Sequence, residues 1–183
     1  MIVDAELIES AKRNAPAMDR LIEAVWPQAY RLAWGILRDR GLAEDAAQEA
    51  AATIARRLHA LENAGAFSAW SYRIAVNCAL TLARRWPTVE SLPAVEPPQE
   101  LRDPGDALDL YNALAALTPT RRALVLLHYY AGLNSRELAA ACGLPASTVR
   151  FHLMLARRAL RKALATGDER ARRISGEVIS DVR

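Results

Sequence analysis

Cysteine and long apolar runs are scarce in this 183-residue chain, and each absence excludes a class of protein. The two cysteines, Cys78 and Cys142, lie far apart within apolar helical patterns, so no disulfide framework is expected. No apolar run approaches the ~18 residues of a membrane span, because arginine or glutamate interrupts each one. The start, MIVDAELIES, lacks the basic-then-apolar order of a signal peptide. We therefore expect a cytoplasmic protein without membrane insertion.

The residues from which an enzyme site is built are also sparse. The three histidines, His59, His128 and His152, are scattered along the chain. No Cys/His spacing suits zinc, no glycine-rich loop suits a phosphate group, and no nucleophile lies near a candidate base. The sequence therefore predicts a protein that is not an enzyme and that binds no metal ion or cofactor.

Alanine, leucine and arginine are abundant instead, and all three favour helix. No strand alternation persists, and residues 18–38 carry two adjacent apolar stripes at helical spacing. One neighbour cannot cover both stripes, so this helix is expected to lie centrally in a bundle or to dock partly on a partner. The sequence predicts an all-α fold with helices at about 18–38, 42–59, 67–85, 106–117, 120–131, 135–141 and 146–165.

Proline and charge divide the chain. Residues 87–105 hold five of the nine prolines, which predicts an extended linker. Residues 88–110 carry a net charge of −5, whereas residues 111–165 carry +7. We therefore predict a helical domain over 1–86, an acidic linker over 87–105, a second domain over 106–165, and a partly disordered tail over 166–183.

The stretch NSRELAAACGLPASTVRF predicts a helix-turn-helix. Asn134 and Glu137 have the spacing of a capping box, and Gly143 lies where a tight turn needs positive φ. Pro145 suits the first turn of the second helix, whose inward stripe begins at Val149. Two interpretations remain open on the motif alone: a plain αα-hairpin with a solvated basic face, or a DNA-reading device. The +7 block favours DNA binding, because a basic face attracts phosphates.

Two segments together resemble one family, the small extracytoplasmic-function (ECF) group of bacterial RNA polymerase sigma factors. LAEDAAQEA followed by FSAWSYRIAVNCALTLARR is similar to the promoter-melting domain of that family. LAALTPTRRALVLLHYYAGLNSRELAAACGLPASTVRFHLMLARRALRKAL is similar to its upstream-element-binding domain. The resemblance implies an alternative sigma factor whose partners are core RNA polymerase, promoter DNA and a cognate anti-sigma protein.

The resemblance also implies roles for particular residues. Core polymerase would dock on an acidic surface of the 42–59 helix, consisting of Glu44, Asp45, Gln48 and Glu49. The melted minus-ten strand would meet a base-reading loop at 61–66 and the residues Arg73, Asn77, Arg84 and Arg85. The minus-35 element would meet Ser147, Thr148, Arg150, Phe151, His152, Arg157, Arg158 and Arg161. The acidic surface can equally be an ordinary solvated helix face, and the acidic linker either occupies a basic polymerase channel or is simply solvated.

Some positions depart from the family pattern. Ala51 and Ala55 stand where the family has bulky aromatics, Thr81 replaces an aspartate, and Phe151 and His152 replace a Ser-Arg pair. Since a packed bundle does not tolerate large voids, we expect Trp34, and less surely Trp26, to be buried against the 42–59 helix. Trp70 is expected to pack in the domain core rather than to stack on DNA.

A second function remains open at this stage. A sigma-like decoy that binds an anti-sigma protein or the polymerase would share these features, as would a regulator that binds duplex DNA alone. Only the regulator would keep specific DNA affinity in the absence of polymerase.

Overall fold

The computed structural model describes residues 3–86 and 113–180. For Tyr130 and for residues 166–180 it describes the backbone only. The described residues form helices and turns, without any β-strand, which confirms the predicted all-α class. The helices are α1 (Ala5–Ala11), α2 (Ala15–Leu37), α3 (Arg40–Arg57), α4 (Phe67–Arg85), α5 (Pro119–Tyr130), α6 (Ser135–Cys142) and α7 (Ala146–Ser180). Two 3-10 turns, Leu58–Ala60 and Ala64–Ala66, lie between α3 and α4.

Side-chain caps fix where most of these helices begin. Asp4, Asn14, Asp39 and Thr118 each accept a hydrogen bond from a backbone N–H in the first turn of α1, α2, α3 and α5. Such caps satisfy donors that have no partner inside the helix. Helix α2 ends at Arg38, whose left-handed backbone (φ 56°) turns the chain sharply into α3.

Helix α2 is central, as its two apolar stripes predict. It packs against α1, α3, α4 and α5. Leu21 and Val25 share a small core with Ile8 of α1 and Phe67 of α4. The C-terminal half of α2, from Ala29 onward, lies in a larger core with α3, α4 and α5. Both stripes are therefore covered within the chain.

That larger core joins the two halves of the chain. Leu124 and Leu127 of α5 are buried in the same cluster as Trp34 of α2 and Val76 of α4. The two helices approach closely at Gly35, where an added Cβ would lie 3.1 Å from Cδ1 of Leu126. The N-terminal and C-terminal helices thus form one closed arrangement.

The burial of Trp34 is confirmed, since none of its surface is exposed. Trp26, stacked on Tyr30 with ring centroids 5.3 Å apart, is half-buried. From α3, the core around Trp34 is lined by Ala43, Ala46, Ala47 and Ala50. In a hairpin that turns at Arg38, position 34 lies level with about position 43, and position 26 with about position 51. By this count we expect Trp26, rather than Trp34, to lie level with Ala51.

Two helices differ from the prediction, and a third predicted feature lies outside the described residues. Helix α1 was not predicted, because seven residues are too few to show a clear period. Helix α7 continues to Ser180, beyond the predicted end at residue 165, and good helix formers with no proline after Pro145 allow that extension. The acidic linker and most of the 106–117 helix lie outside the described residues.

None of the described helices is by itself long and apolar enough to cross a membrane. Helix α6 and the first part of α7 reach that length and apolarity only when taken together, and the chain bends by 106° between them.

Candidate nucleic-acid interface

The helix-turn-helix has the geometry that its sequence predicts. Asn134 Oδ1 accepts from the backbone N–H of Glu137 at 3.2 Å, and Glu137 Oε2 accepts from the backbone N–H of Asn134 at 2.8 Å. Gly143 has φ 65° and closes α6. Leu138 and Val149 are fully buried, with Leu153 and Ala156 continuing the inward stripe of α7. The first turns of α7 are thereby held at a fixed angle to α6.

The outward face of α7 carries the residues predicted to meet the minus-35 element. Ser147, Arg150, Phe151, Arg157, Arg158 and Arg161 are exposed, and Thr148 and His152 are half-buried. Phe151 and Met154 are each more than half exposed although they are apolar. Apolar groups among cations suit a DNA groove, where they can contact thymine methyl groups while arginines contact bases and phosphates.

Arg157 is held by a neighbour. His128 Nδ1 lies 2.8 Å from the carbonyl oxygen of Leu133, which can only accept, so Nδ1 carries the proton. Nε2 then accepts from Arg157 Nη2 at 3.4 Å. This contact links Arg157 of α7 to the end of α5.

A second polar stripe runs along α4. Arg73, Asn77 and Arg84 lie at helical spacing on one exposed face, with Arg85 beside them. Thr81 lies on the same stripe; its hydroxyl donates to the Asn77 carbonyl at 2.8 Å and accepts from Arg84 Nη2 at 3.2 Å. Trp70 faces Phe67 with ring centroids 6.0 Å apart and is half-buried, in keeping with a packing role.

The predicted base-reading loop, 61–66, is held from outside by a residue that the sequence did not reveal. Lys12, just after α1, donates from Nζ to the Leu61 carbonyl at 2.7 Å and to Glu9 Oε1 at 2.7 Å. Within the loop, Asn63 Oδ1 accepts from the Gly65 backbone N–H at 2.8 Å. No sequence signal identifies Lys12, because its partner lies 49 residues away.

The acidic surface of α3 is on the outside of the bundle. Glu44 is paired with Arg40 at 3.0 Å, and Glu49 with Arg56 at 2.9 Å. The hydrogen bond from Arg56 holds the pKa of Glu49 below its usual value. Asp45 and Gln48 are exposed and make no side-chain hydrogen bond or ion pair with the described residues. They are the two members of the set most available to a partner.

Comparison with known proteins gives a consistent result. Residues 21–86 match the family described as Sigma-70 region 2, and residues 107–160 match Sigma-70 region 4. The chain is 32% identical to the ECF RNA polymerase sigma factor SigE of Mycolicibacterium smegmatis, over 82% of this chain and 62% of that protein. It is 30% identical to the RNA polymerase sigma-H factor of Pseudomonas aeruginosa, over 88% of this chain and 93% of that protein.

The fold is shared with solved structures of low sequence identity. Sigma factor RpoE from Bartonella quintana, crystallised with the anti-sigma factor NepR, superposes with a TM-score of 0.64 at 21% identity, covering 82% of this chain and 98% of that one. CnrH, in complex with the cytosolic domain of CnrY, gives a TM-score of 0.58 at 19% identity, over 89% and 97% of the two chains.

Proposed function

Because this chain belongs to the ECF sigma factors of RNA polymerase, we propose that it binds core polymerase and directs promoter-specific transcription initiation. It would do so in the cytoplasm as an initiation factor, not as an enzyme. The observation that carries the proposal is the pair of exposed polar stripes, one on α4 and one on α7. Two DNA-directed surfaces on one chain suit a protein that reads two promoter elements.

The α7 stripe would read the minus-35 element as duplex DNA. Its first turns carry Ser147, Arg150 and Phe151, which are exposed at the end that enters a major groove. Arg158 and Arg161 lie further along and would contact phosphates, which position the helix without specifying sequence. The fixed angle between α6 and α7 makes this surface rigid.

The α4 stripe and the 61–66 loop would hold the minus-ten element as single-stranded DNA. Arg73, Arg84 and Arg85 supply positive charge for the backbone, and Asn77 supplies an amide for a base edge. A flipped base needs a small pocket, and the loop beside α4 would provide it. The aspartate of the usual pattern is replaced by Thr81, so Arg84 is bonded to a neutral hydroxyl here and not to a carboxylate.

Core polymerase would dock on α3 through Asp45 and Gln48, with Glu44 and Glu49 joining once they leave their arginine partners. Exposed ion pairs are worth little in water, so exchanging Arg40 or Arg56 for a polymerase cation costs little. An acidic surface of this kind steers association with a basic partner.

The closed arrangement cannot engage both promoter elements at once. Elements centred near −35 and −10 lie about 25 base pairs apart, which is roughly 80 Å along B-DNA. Helices α4 and α5 share one core, so α7 lies much closer to α4 than that. We therefore propose that the two halves separate when the protein joins the polymerase.

RpoE of Bartonella quintana was crystallised with an anti-sigma factor. By analogy we propose an anti-sigma protein as the partner that keeps this chain from the polymerase.

Transcription with purified components tests the proposal. Core polymerase plus this protein should produce a transcript with a defined start site on a member of a genomic promoter library. Asp45→Lys should abolish that transcript and core binding, whereas Glu62→Lys, an exposed control in the loop before α4, should leave core binding unchanged. If the wild-type protein binds core polymerase but opens no promoter in the library, the alternative of a sigma-like decoy is correct. Specific binding to duplex DNA without polymerase would instead indicate an ordinary helix-turn-helix regulator.

A further inference from the structure

The first turn of α5 contains a buried arginine. Arg122 is only 8% exposed, and its Nε and Nη1 atoms are fully buried. Among the residues that the structure describes, neither atom has a hydrogen-bond partner, and no ion pair joins Arg122 to a carboxylate. Burial, and to a smaller extent the charge of Arg38, lowers the pKa of Arg122 to about 10. Such a residue is unusual, because buried charges in proteins are normally paired.

Arg122 lies on the face of α5 that packs against the N-terminal half of the chain. It precedes Leu126 by four residues, so the two side chains project from the same side of the helix. Leu126 meets Gly35 of α2 across the junction of the two halves. The effect of Arg38, which ends α2, on the pKa of Arg122 agrees with that position. Arg122 is therefore buried at the junction, and separation of the halves would return it to water.

The burial of Arg122 opposes the closed form, in which the two halves share one core. A cation that leaves water without gaining a hydrogen-bond partner loses much of its solvation free energy. A methionine at this position would fill a similar space without that cost. The contact around it is apolar, since Leu124 and Leu127 of α5 share their core with Val76 of α4. The closed form thus combines an apolar contact that favours it with a buried charge that opposes it.

We propose that Arg122 is a conformational device that keeps the closed form weak enough for core polymerase to open it. The inference rests on the proposed function, in which the two halves separate when the chain joins the polymerase. A chain that must open before it binds has an apparent affinity that falls with the fraction of open molecules. Because the charge of Arg122 is solvated only after separation, it raises that fraction. An uncharged residue at position 122 would hold the chain closed and keep it from the polymerase.

Thermal unfolding of the full chain tests the destabilising effect without polymerase. Arg122→Met should unfold at a higher temperature than the wild type, by at least about 3 °C. Arg136→Met removes an exposed arginine from α6, in the same half of the chain, and should unfold at the wild-type temperature. An unchanged or lower midpoint for Arg122→Met would overturn the proposal, because Arg122 would then not oppose the closed form.

Association with fluorescently labelled core polymerase, followed by stopped flow, tests the effect on opening. Arg122→Met should associate about tenfold more slowly than the wild type, because fewer molecules are open. It should dissociate at the wild-type rate, and Arg136→Met should match the wild type in both rates. Equal association rates for Arg122→Met and the wild type would overturn the proposal. So would faster dissociation with unchanged association, since Arg122 would then contact the polymerase directly.

A second substitution tests whether the slower association arises from closure. Gly35→Leu overpacks the junction from the α2 side and should weaken the closed form. Added to Arg122→Met, it should restore most of the lost association rate without restoring the charge. If the double variant still associates slowly, Arg122 acts by another route and the proposal is overturned. If the wild type does not bind core polymerase at all, the proposed function is wrong, whereas the thermal comparison still decides whether Arg122 opposes closure.

Discussion

Gly35 of α2 and Leu126 of α5 meet so closely that the Cβ which glycine lacks would lie 3.1 Å from the Leu126 Cδ1 atom. Carbon atoms normally pack at about 3.5–4.0 Å. A methyl group at position 35 would require a shift of a few tenths of an ångström in the Leu126 side chain, and a larger side chain would not fit without moving the helices apart. The contact joins the N-terminal and C-terminal halves of the chain, and a single substitution can test whether it holds the closed form.

We expect Gly35→Leu to separate the two halves. Overpacking of a tight contact costs about 1–3 kcal/mol, which the chain can avoid by moving α5 away from α2. Small-angle X-ray scattering should then show a larger radius of gyration.

Gly35→Ala should leave the stability nearly unchanged, because a gain in helix propensity of about 1 kcal/mol offsets the cost of a small shift of the Leu126 side chain. Adding Leu126→Ala to Gly35→Leu should restore the compact form, and Ala24→Leu, at an exposed site of α2, is the control. An unchanged radius for Gly35→Leu would show that the junction is not tightly packed.

Trp34 should be among the residues most important for stability. It is fully buried in the core shared by α2, α3 and α5. Trp34→Ala should lower the free energy of unfolding by about 3–5 kcal/mol, as measured by urea denaturation. Trp86 is 62% exposed, and Trp86→Ala should change that free energy by no more than about 0.5 kcal/mol. Equal losses for the two variants would contradict the packing described here.

Helix positions were predictable because they depend on neighbours in the sequence. The predicted α4 spans the same residues as the observed one, since an apolar period of 3.6 and the loop before Phe67 define it locally. The capping box at Asn134 and the positive φ at Gly143 follow from short-range chemistry and were likewise predicted. The exposure of most of the proposed DNA-contacting residues follows from the same periodicity.

Contacts between distant segments were not predictable. Lys12 and Leu61, or Gly35 and Leu126, meet only because the bundle folds as a whole. The buried state of Arg122 was the least expected, because an arginine in the first turn of a helix is normally solvated. The burial of Trp34 against α3 was predictable from its apolar stripe, whereas the turn at Arg38, which sets how α2 and α3 align, was not.

Lys12 is expected to matter for promoter opening. It is largely buried, with 16% of its side chain exposed, and its ammonium group donates to the carbonyl at the start of the 61–66 loop. A charge-assisted hydrogen bond of this kind contributes about 1.5–3 kcal/mol. Lys12→Met should loosen the loop and reduce open-complex formation severalfold, as monitored by permanganate reactivity of melted thymines, while core binding stays constant. Arg13→Met, at the exposed neighbouring position, should open promoters normally. Normal opening by Lys12→Met would exclude a positioning role.

The arginines of α7 should fall into two classes. Arg150 lies in the turns that enter the groove, and losing one base contact costs about 1–3 kcal/mol and relaxes specificity at one position. Arg150→Ala should therefore change the base preference within the minus-35 element when holoenzyme selects promoters from a randomised library. Arg161→Ala should weaken binding evenly across sequences and reduce its salt dependence. Identical base preferences for the wild type and Arg150→Ala would remove Arg150 from the readout.

The stability effect of Arg122 should depend on pH in a defined direction. Burial lowers its pKa to about 10 in the folded chain, whereas in the unfolded chain the pKa has the higher, ordinary value of an arginine. Below pH 10 the group is charged in both states, so the whole penalty of burying the charge is present. As the pH rises above 10 the folded state releases its proton before the unfolded state does, and the penalty is relieved. A pKa difference of this size corresponds to roughly 3 kcal/mol of unfolding free energy.

Arg122→Met should therefore be more stable than the wild type at pH 8, by up to about that amount, and this gain in unfolding free energy should shrink at pH 11. Apart from Arg38, which loses the nearby charge of Arg122, the other groups have the same surroundings in both proteins, so the difference between their unfolding free energies reports the buried charge of Arg122. An advantage that stays constant from pH 8 to 11 would show that packing, and not charge, separates the two proteins.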